Sequence, residues 1–502
     1  MKFQNFKVLS DQEIVQIHEA SINILENAGI MIYSKRALDI LNSKGAIVDY
    51  DKKLAKISGK MVESCLKTVP KKIDLFDRYG NQYLTLGDGV PKCASGHNAI
   101  FIIDAGTNIR RNSTVKDVEN FALISDKLED IDIVGVPVMP QDVTPQASLL
   151  YAVKALYENT TKPMFFSTES TSVNASVINM MKVIARGKNI AVYPSAISQL
   201  SSTSPLSWEP GAVDALIDVA QEGIPLNLLP EPMSGVSAPF TVAGLLTMHN
   251  TEILSGIVLS QLVRPGTPVI YGSSWTTFDM KFTNAIIGSP ETSILRVAGC
   301  QMARYYNMPS HTTAPNSDSN SHDEQNSWEK TISNMCAICG GNDLIMNSGM
   351  FATGLTISLE QLVLDDEING IIRRLYRGIE VNEDTIGVQV INNVGARGSF
   401  LTEDHTLKYL LCGEFREVKV SNTNNYDNWL TSGAPTVEQN ATKIVQEYLK
   451  AGNTKVLERD VIEKLDRIIR IFESNLFSFL NSSALSCTSK RYSSFDAAKF
   501  EP

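Results

Sequence analysis

At 502 residues, with 43% hydrophobic residues and a net charge of −10, the chain is long enough for a large α/β barrel with appended segments, and it lacks the basic stripe that nucleic-acid binding needs. Seven cysteines, an odd number scattered over a long chain, argue against a disulfide framework and read as reduced thiols. The opening Met1-Lys2-Phe3-Gln4-Asn5-Phe6-Lys7 has no long apolar run or small-residue cleavage site, and no stretch of eighteen apolar residues occurs, so no membrane span is expected and a soluble, cytoplasmic protein is.

Ser10-x-x-Glu13 has the spacing of a capping box, and Ile14, Ile17, Ile22, Leu25 and Ala28 form the apolar stripe of the helix it starts, ending near Gly29. Up to residue 110 helices mix with short strands such as Ala99–Ile103, which predicts an N-terminal α+β appendage. Apolar strand candidates then recur with helices between them, at Ile131–Val138, Pro163–Phe166, Ile190–Ser195, Ile224–Leu229, Pro268–Tyr271, Pro309–Thr313 and Leu344–Met346. Continuous apolar runs alternating with helices imply a parallel sheet covered on both faces. The clearest unit starts at Ile224–Leu229, breaks at Pro230-Glu231-Pro232, turns through Met233 to Pro239, and continues as a helix from Thr241 to Leu262. Pro265-Gly266-Thr267-Pro268 stops that helix, and Val269-Ile270-Tyr271-Gly272 opens the next strand.

The strand count, and the lack of a Gly-x-Gly-x-x-Gly turn after the early strands, favour a (β/α)8 barrel over an open doubly wound sheet. The barrel is assigned to 111–437, with its eighth strand either at Gly387–Ile391 or in the N-terminal part. A charged amphipathic C-terminal helical extension is expected over 438–480, and a serine-rich disordered tail over 481–502.

In a barrel the reacting groups come from loops at the carboxyl ends of the strands. Following each strand outward nominates Gln141, Ser167, Glu169, Ser198, Gln199, Glu231, Ser273, Ser274, Trp275, Asp318, Ser319, Asn320, Asn347 and Ser348. This bowl is polar with few charges, no Ser/His/acid set stands out, and no histidines pair at metal-ligand spacing, so no bound metal is expected. Cys336-x-x-Cys339 has no second pair to complete four ligands and reads as core packing on a helix, while Glu252 and Asn250 lie within a helix and read as structural. Aromatic residues gather at the same ends: Phe166, Trp275, Phe278 and Phe351 among them, with Phe165, Phe166, Tyr193 and Tyr271 also suited to barrel-wall packing.

Pro232-Met233-x-Gly235-x-x-Ala238-Pro239, His249-Asn250-x-Glu252, Pro265-Gly266-x-Pro268-Val269-Ile270-Tyr271-Gly272, Gly288-Ser289-Pro290-Glu291, Ala303-Arg304-Tyr305-Tyr306, Asp318-Ser319, Asp323-x-Gln325, Leu362-Val363-Leu364-Asp365-Asp366-Glu367 and Gly378-Ile379-Glu380-Val381 follow one another in an order that resembles the trimethylamine methyltransferase family, over roughly residues 10 to 440. The resemblance implies the same barrel, methyl transfer to a corrinoid (cobalamin) carried by a cognate corrinoid protein, and a setting in anaerobic one-carbon metabolism, methanogenic or acetogenic.

One departure sets the expected chemistry. Where the archetypal trimethylamine enzymes carry pyrrolysine, this loop reads Asp318-Ser319-Asn320-Ser321-His322-Asp323, with Asn320 in the pyrrolysine place. The resemblance to pyrrolysine-lacking relatives implies a quaternary amine donor: glycine betaine, proline betaine, carnitine or γ-butyrobetaine. Such a cation donates no hydrogen bond, so aromatic faces and a carboxylate at a distance are what hold it, each face contributing about 0.5–2 kcal/mol. Trp275, Phe278, Phe351 and Phe166 are the aromatic candidates, Glu231 and Asn320 the polar positioning groups, and His322, Asn347 and Ser348 the partners for a substrate carboxylate. A non-catalytic betaine-binding protein, or a barrel methyltransferase using another methylated donor, are the alternatives; homo-oligomerisation is compatible with the sequence.

Overall fold

The computed structural model describes residues 6–104, 107, 109–167 and 170–492, with side chains described through residue 476. Eight parallel strands form the centre: β1 (Lys92–Ser95), β2 (Val134–Gly135), β3 (Met164–Ser167), β4 (Ala196–Leu200), β5 (Leu226–Leu228), β6 (Val269–Ser273), β7 (Ser310–Thr313) and β8 (Leu344–Ser348). Their spatial order is β1-β8-β7-β6-β5-β4-β3-β2, and a parallel bridge between Ala94 and Ile133 joins β1 to β2, closing the sheet into a barrel. A helix follows each strand: α1 (Val115–Lys127), α2 (Ser148–Asn159), α3 (Thr171–Ile184), α4 (Pro210–Glu222), α5 (Val242–Val263), α6 (Pro290–Tyr305), α7 (Glu324–Gly340) and α8 (Leu359–Arg377). The (β/α)8 barrel expected from the alternation of apolar runs is the fold.

The eighth strand is β1, in the N-terminal part. Lys92 interrupts its apolar run, its ammonium reaching back to Asp88 at 3.2 Å, which hid the strand from a hydropathy reading. Gly387–Ile391 is not a strand: Gly387 takes a left-handed conformation (φ 68°) that ends one short helix, and Val388–Val394 forms another. The fourth strand also lies further along than Ile190–Ser195. The amides of Val192 and Tyr193 turn back onto the Asn189 carbonyl, Pro194 follows without an N–H to give, and pairing begins at Ala196.

Strand side chains alternate between the two sides of the wall. Ala94, Ile133, Phe165, Ile197, Ile270, Leu344 and Met346 point into the lumen, where they meet Ile73, Leu75, Leu84 and Leu86. Those four form the apolar face of an antiparallel hairpin, Ile73–Phe76 with Gln82–Leu86, which plugs the lumen. Intervening residues such as Phe166, Leu226, Leu228 and Tyr271 join the core between the wall and the helices.

The N-terminal helix Asp11–Asn27 starts with the expected capping box: the Glu13 carboxylate accepts the Ser10 amide at 2.7 Å, and Ser10 Oγ accepts the Glu13 amide at 3.3 Å. It packs its buried face on α5. Helix α5 passes a length-and-composition test for a membrane span, yet it is a core helix, buried without interruption from His249 to Gln261. It is apolar all round because other elements cover every face. At the other end, Val437–Ala451 packs against α8 and α1, and the long helix Arg459–Tyr492 against α3 and α2. That helix runs past residue 481, where a disordered tail was expected; serine lowers helix propensity only moderately, and Ala484 and Leu485 lie among the serines. The rest of the expected tail, 493–502, lies outside the described residues.

Leu75 is fully buried on the hairpin plug, so Leu75→Ala is expected to lower unfolding free energy by about 2–5 kcal/mol. Urea denaturation measures it, and an unchanged midpoint would show that the hairpin does not fill the lumen.

Candidate active site

The plug closes one end of the lumen, which leaves the mouth at the carboxyl ends of the strands. After β5 the chain reads Pro230-Glu231-Pro232, and the two prolines, lacking amide hydrogens, end the pairing of that strand. The rim nevertheless continues beyond it, because the Ser234 amide donates to the Thr276 carbonyl at 3.0 Å and Met233 bridges Thr276. Glu231 keeps an exposed surface just past the carboxyl end of β5, while protein packs around its carboxyl group. This enclosure raises its carboxyl above the ordinary glutamate value, and the Ser274 hydroxyl beside it acts in the opposite direction. Ser274 in turn lies 3.4 Å from the Thr313 hydroxyl on β7.

Deeper in the lumen the wall turns polar. Asn227 on β5 donates to the Gln199 side-chain carbonyl oxygen on β4 at 3.3 Å, and its own Oδ1 has no partner among the described residues. Gly272 on β6 is obligatory there, since a Cβ would stand 2.4 Å from the Leu228 carbonyl oxygen and 2.8 Å from Asn227 Oδ1. His97, just past β1, and His311, on β7, lie against Phe165 with ring centroids 5.2 and 5.8 Å away. Burial pushes His97 down to about 4 and His311 to about 3, so both rings are neutral near pH 7.

The loop after β7 is shaped by carboxylates. Asp318 accepts the amides of Ile287 and Gly288 at 3.0 and 2.8 Å, tying the loop to the hairpin that follows β6. Glu329 accepts the Asp318 amide, the Ser317 hydroxyl and the Gln325 amide group, and Asp323 accepts the Asn326 amide as cap of α7 while binding the Ser319 and Ser321 hydroxyls. The outcome is a loop that presents Asn320 exposed. Below it the fully buried pair Lys330–Asp365, at 2.8 Å, links α7 to α8. Lys330 also donates to the Pro315 carbonyl, and Asp365 accepts the Gly349 amide, so one pair pins the loops after β7 and β8.

The structure gathers only some of the sequence-nominated residues at the mouth. Glu231 lies just past β5, Asn320 is exposed on the loop after β7, Phe278 is half-buried on the hairpin Thr277–Asp279/Asn284–Ile286 beyond β6, and Asn347 is the next-to-last residue of β8, at a bulge with φ 148°. Asn347 donates to Asn316 at 2.7 Å. Trp275 faces the other way: it is 3% exposed, stacks on His249 of α5 at 4.5 Å, and lies where a Cβ on Gly299 of α6 would strike it. Phe166 likewise packs toward the helices. Ser348 turns outward to accept from Asn369 of α8 at 3.1 Å, and Phe351 is buried against the His322 ring. His322 has both nitrogens engaged, with Glu438 at 3.0 Å and Ser358 at 3.1 Å. Glu252 accepts from Ser202, Ser204 and the Leu206 amide, a structural role. Glu169 lies outside the described residues. Asn227, His311 and Asn316 were not nominated, although a correct strand map would have found them.

A family model described as Trimethylamine methyltransferase (MTTB) matches residues 1–472. The chain is 34% identical over 461 residues to a trimethylamine methyltransferase of Desulfitobacterium hafniense, covering 92% of each protein. It is 30% identical over 467 residues to a glycine betaine methyltransferase from another strain of that bacterium, covering 92% of this chain and 96% of the relative. A solved structure, the monomethylamine methyltransferase of Methanosarcina barkeri, overlays with a TM-score of 0.48 at 12% identity over 94% of this chain and 96% of that one.

His249 and His311 are both fully buried and held near 3, below the roughly 6.5 of an unfolded imidazole. The unfolded chain therefore takes up protons first as pH falls: stability is full above about 6.5 and is lost below it, by up to about 1.4 kcal/mol per pH unit for each ring. Unfolding free energy measured against pH is expected to fall on the acid side, and His311→Leu to flatten that slope by one proton; an unaltered slope would refute the assignment.

Proposed function

The chain belongs to the trimethylamine methyltransferase family and is a methyltransferase, and from that premise we propose that its methyl donor is a quaternary amine, glycine betaine or a related betaine such as proline betaine, carnitine or γ-butyrobetaine, and its acceptor the Co(I) corrinoid of a cognate partner protein. The observation that carries this reading is Asn320, exposed on the loop over the mouth, where the archetypal enzymes place pyrrolysine. A tertiary amine is a poor methyl donor until its nitrogen becomes cationic in the right orientation, whereas a quaternary amine already bears the charge.

The transfer is a displacement: the C–N bond breaks with its electron pair staying on nitrogen, and the corrinoid supplies the two electrons of the new bond to carbon. The leaving tertiary amine is neutral, so no proton moves, which suits a lumen whose polar groups Gln199, Asn227, Ser274 and Thr313 are neutral, with Ser274 beside the Glu231 carboxyl. Glu231 holds the ammonium by charge, and the enclosed site makes that attraction stronger than it is in water. Phe278 offers an aromatic face on the rim. Positioning and exclusion of water are what the protein contributes to the barrier.

The test mixes the protein, under anoxia, with chemically reduced cob(I)alamin and glycine betaine, and follows the visible spectrum for methylcob(III)alamin. Formation of the methylated product is expected, and Glu231→Gln is expected to lower kcat/KM about 10- to 100-fold with an unchanged melting temperature. Because enclosure raises the Glu231 carboxyl, the wild-type rate should fall on the acid side at a pH above the ordinary glutamate value, and the glutamine variant should lack that limb. A preference for trimethylamine over every betaine, in competition with a cognate corrinoid protein present, would overturn the reading.

A further inference from the structure

We propose that His97 determines specificity by donating a ring N–H to the carboxylate end of the substrate, an inference that rests on the reading of the mouth as a betaine site. In the closed order of strands, β1 and β5 are four places apart among eight, so His97 and Glu231 leave the barrel from opposite walls. A betaine carries its charges at opposite ends, and a carboxylate on one wall with a hydrogen-bond donor on the other matches that dipole.

Several other nitrogen donors near the mouth are engaged within the protein. Gln141 donates to the Ile100 carbonyl, Asn347 to Asn316, and both nitrogens of His322 are held. The buried Arg296 guanidinium is occupied by the Thr313 and Ile287 carbonyls and the Thr292 hydroxyl. The His311 ring has no hydrogen bond or ion pair among the described residues, but both its nitrogens are sealed from solvent; the His97 ring likewise has none, and it is partly exposed. Nδ1 is walled in without a partner, which leaves Nε2 as the nitrogen that reaches the mouth.

The ring is also held ready. The Gly96 amide donates to the Ser348 carbonyl and the Asn98 amide to the Val136 carbonyl, both at 2.8 Å, so the backbone is anchored on each side of His97. Asn98 takes the left-handed conformation (φ 60°) that this reversal needs. A Cβ on Gly96 would lie 2.1 Å from Met350 Cγ, and one on Gly135 would lie 3.1 Å from His97 Cβ, so neither neighbour has room for a side chain. Phe165 supports the ring edge-on, and the titratable group beyond it is His311, itself neutral. His97 therefore acts as a neutral donor, and a preorganised one.

The experiment is calorimetry on the full chain with two ligands, glycine betaine and tetramethylammonium, which shares the cationic head but has no carboxylate. His97→Ala is expected to weaken glycine betaine about 10- to 100-fold, the worth of one hydrogen bond to a charged group, and tetramethylammonium less than about threefold. His97→Gln, which keeps an N–H donor, is expected to recover part of the loss, and melting temperatures identify any variant that fails to fold. Equal losses for both ligands, or no loss for betaine, would overturn the role of His97 while leaving the quaternary-amine reading standing. Wild-type protein that binds neither ligand would overturn both.

Discussion

Closing eight strands into a ring gives every strand residue one of two destinations, the lumen or the layer of helices, and the side chains alternate between them without exception until a bulge intervenes. Most of the molecule follows from that parity. At one end the inward positions are aliphatic and accept a hairpin; toward the mouth they become Gln199, Asn227 and Gly272, and beyond the strand ends Ser274 and Glu231. The bulge at Asn347 inserts one residue into β8 and so reverses the parity beyond it, sending Ser348 to Asn369 on α8 instead of to the lumen.

The same parity explains what was legible in the sequence. Six of the strands and the helices between them announce themselves through continuous apolar runs, because a parallel wall is buried on both sides; β1, interrupted by Lys92, and β4, which begins only at Ala196, do not. That same burial erases the contrast between inside and outside. Phe165 and Phe166 look alike in hydropathy, yet one meets His97 and the other the helices; Ser274 and Trp275 divide the same way. Assigning a residue to the mouth from sequence therefore demands the register of each strand to a single residue, which composition does not supply. Glu231 escaped the difficulty because it lies between prolines, already outside the ladder.

The residues that carried the family resemblance have a second lesson in them. Asp318, Asp323, Gln325, Asn250, Glu252 and Asp365, half-buried or buried, are linkers: they bind backbone amides, hydroxyls, a carboxylate or a buried lysine. A polar group taken out of water must be matched by partners in fixed directions, so such residues tolerate few exchanges and leave a recognisable trace. They fix the shape of the loops on which reacting groups stand, without touching the reaction space themselves. In the proposed function the chemistry depends on positions between them, above all on Asn320.

The hairpin that fills the lumen makes the barrel a dead end. In the function proposed above, the two reactants that meet inside it share a single door, so the smaller enters before the larger arrives, and the demethylated product stays behind the larger one until that one departs. Such a vessel imposes an order of events on its traffic by shape alone: its turnover resembles an airlock, and the rate at which the outer partner lifts away sets a ceiling that no improvement in the chemical step can raise. The four aliphatic side chains of Ile73, Leu75, Leu84 and Leu86, far from any reacting atom, are the source of that ordering.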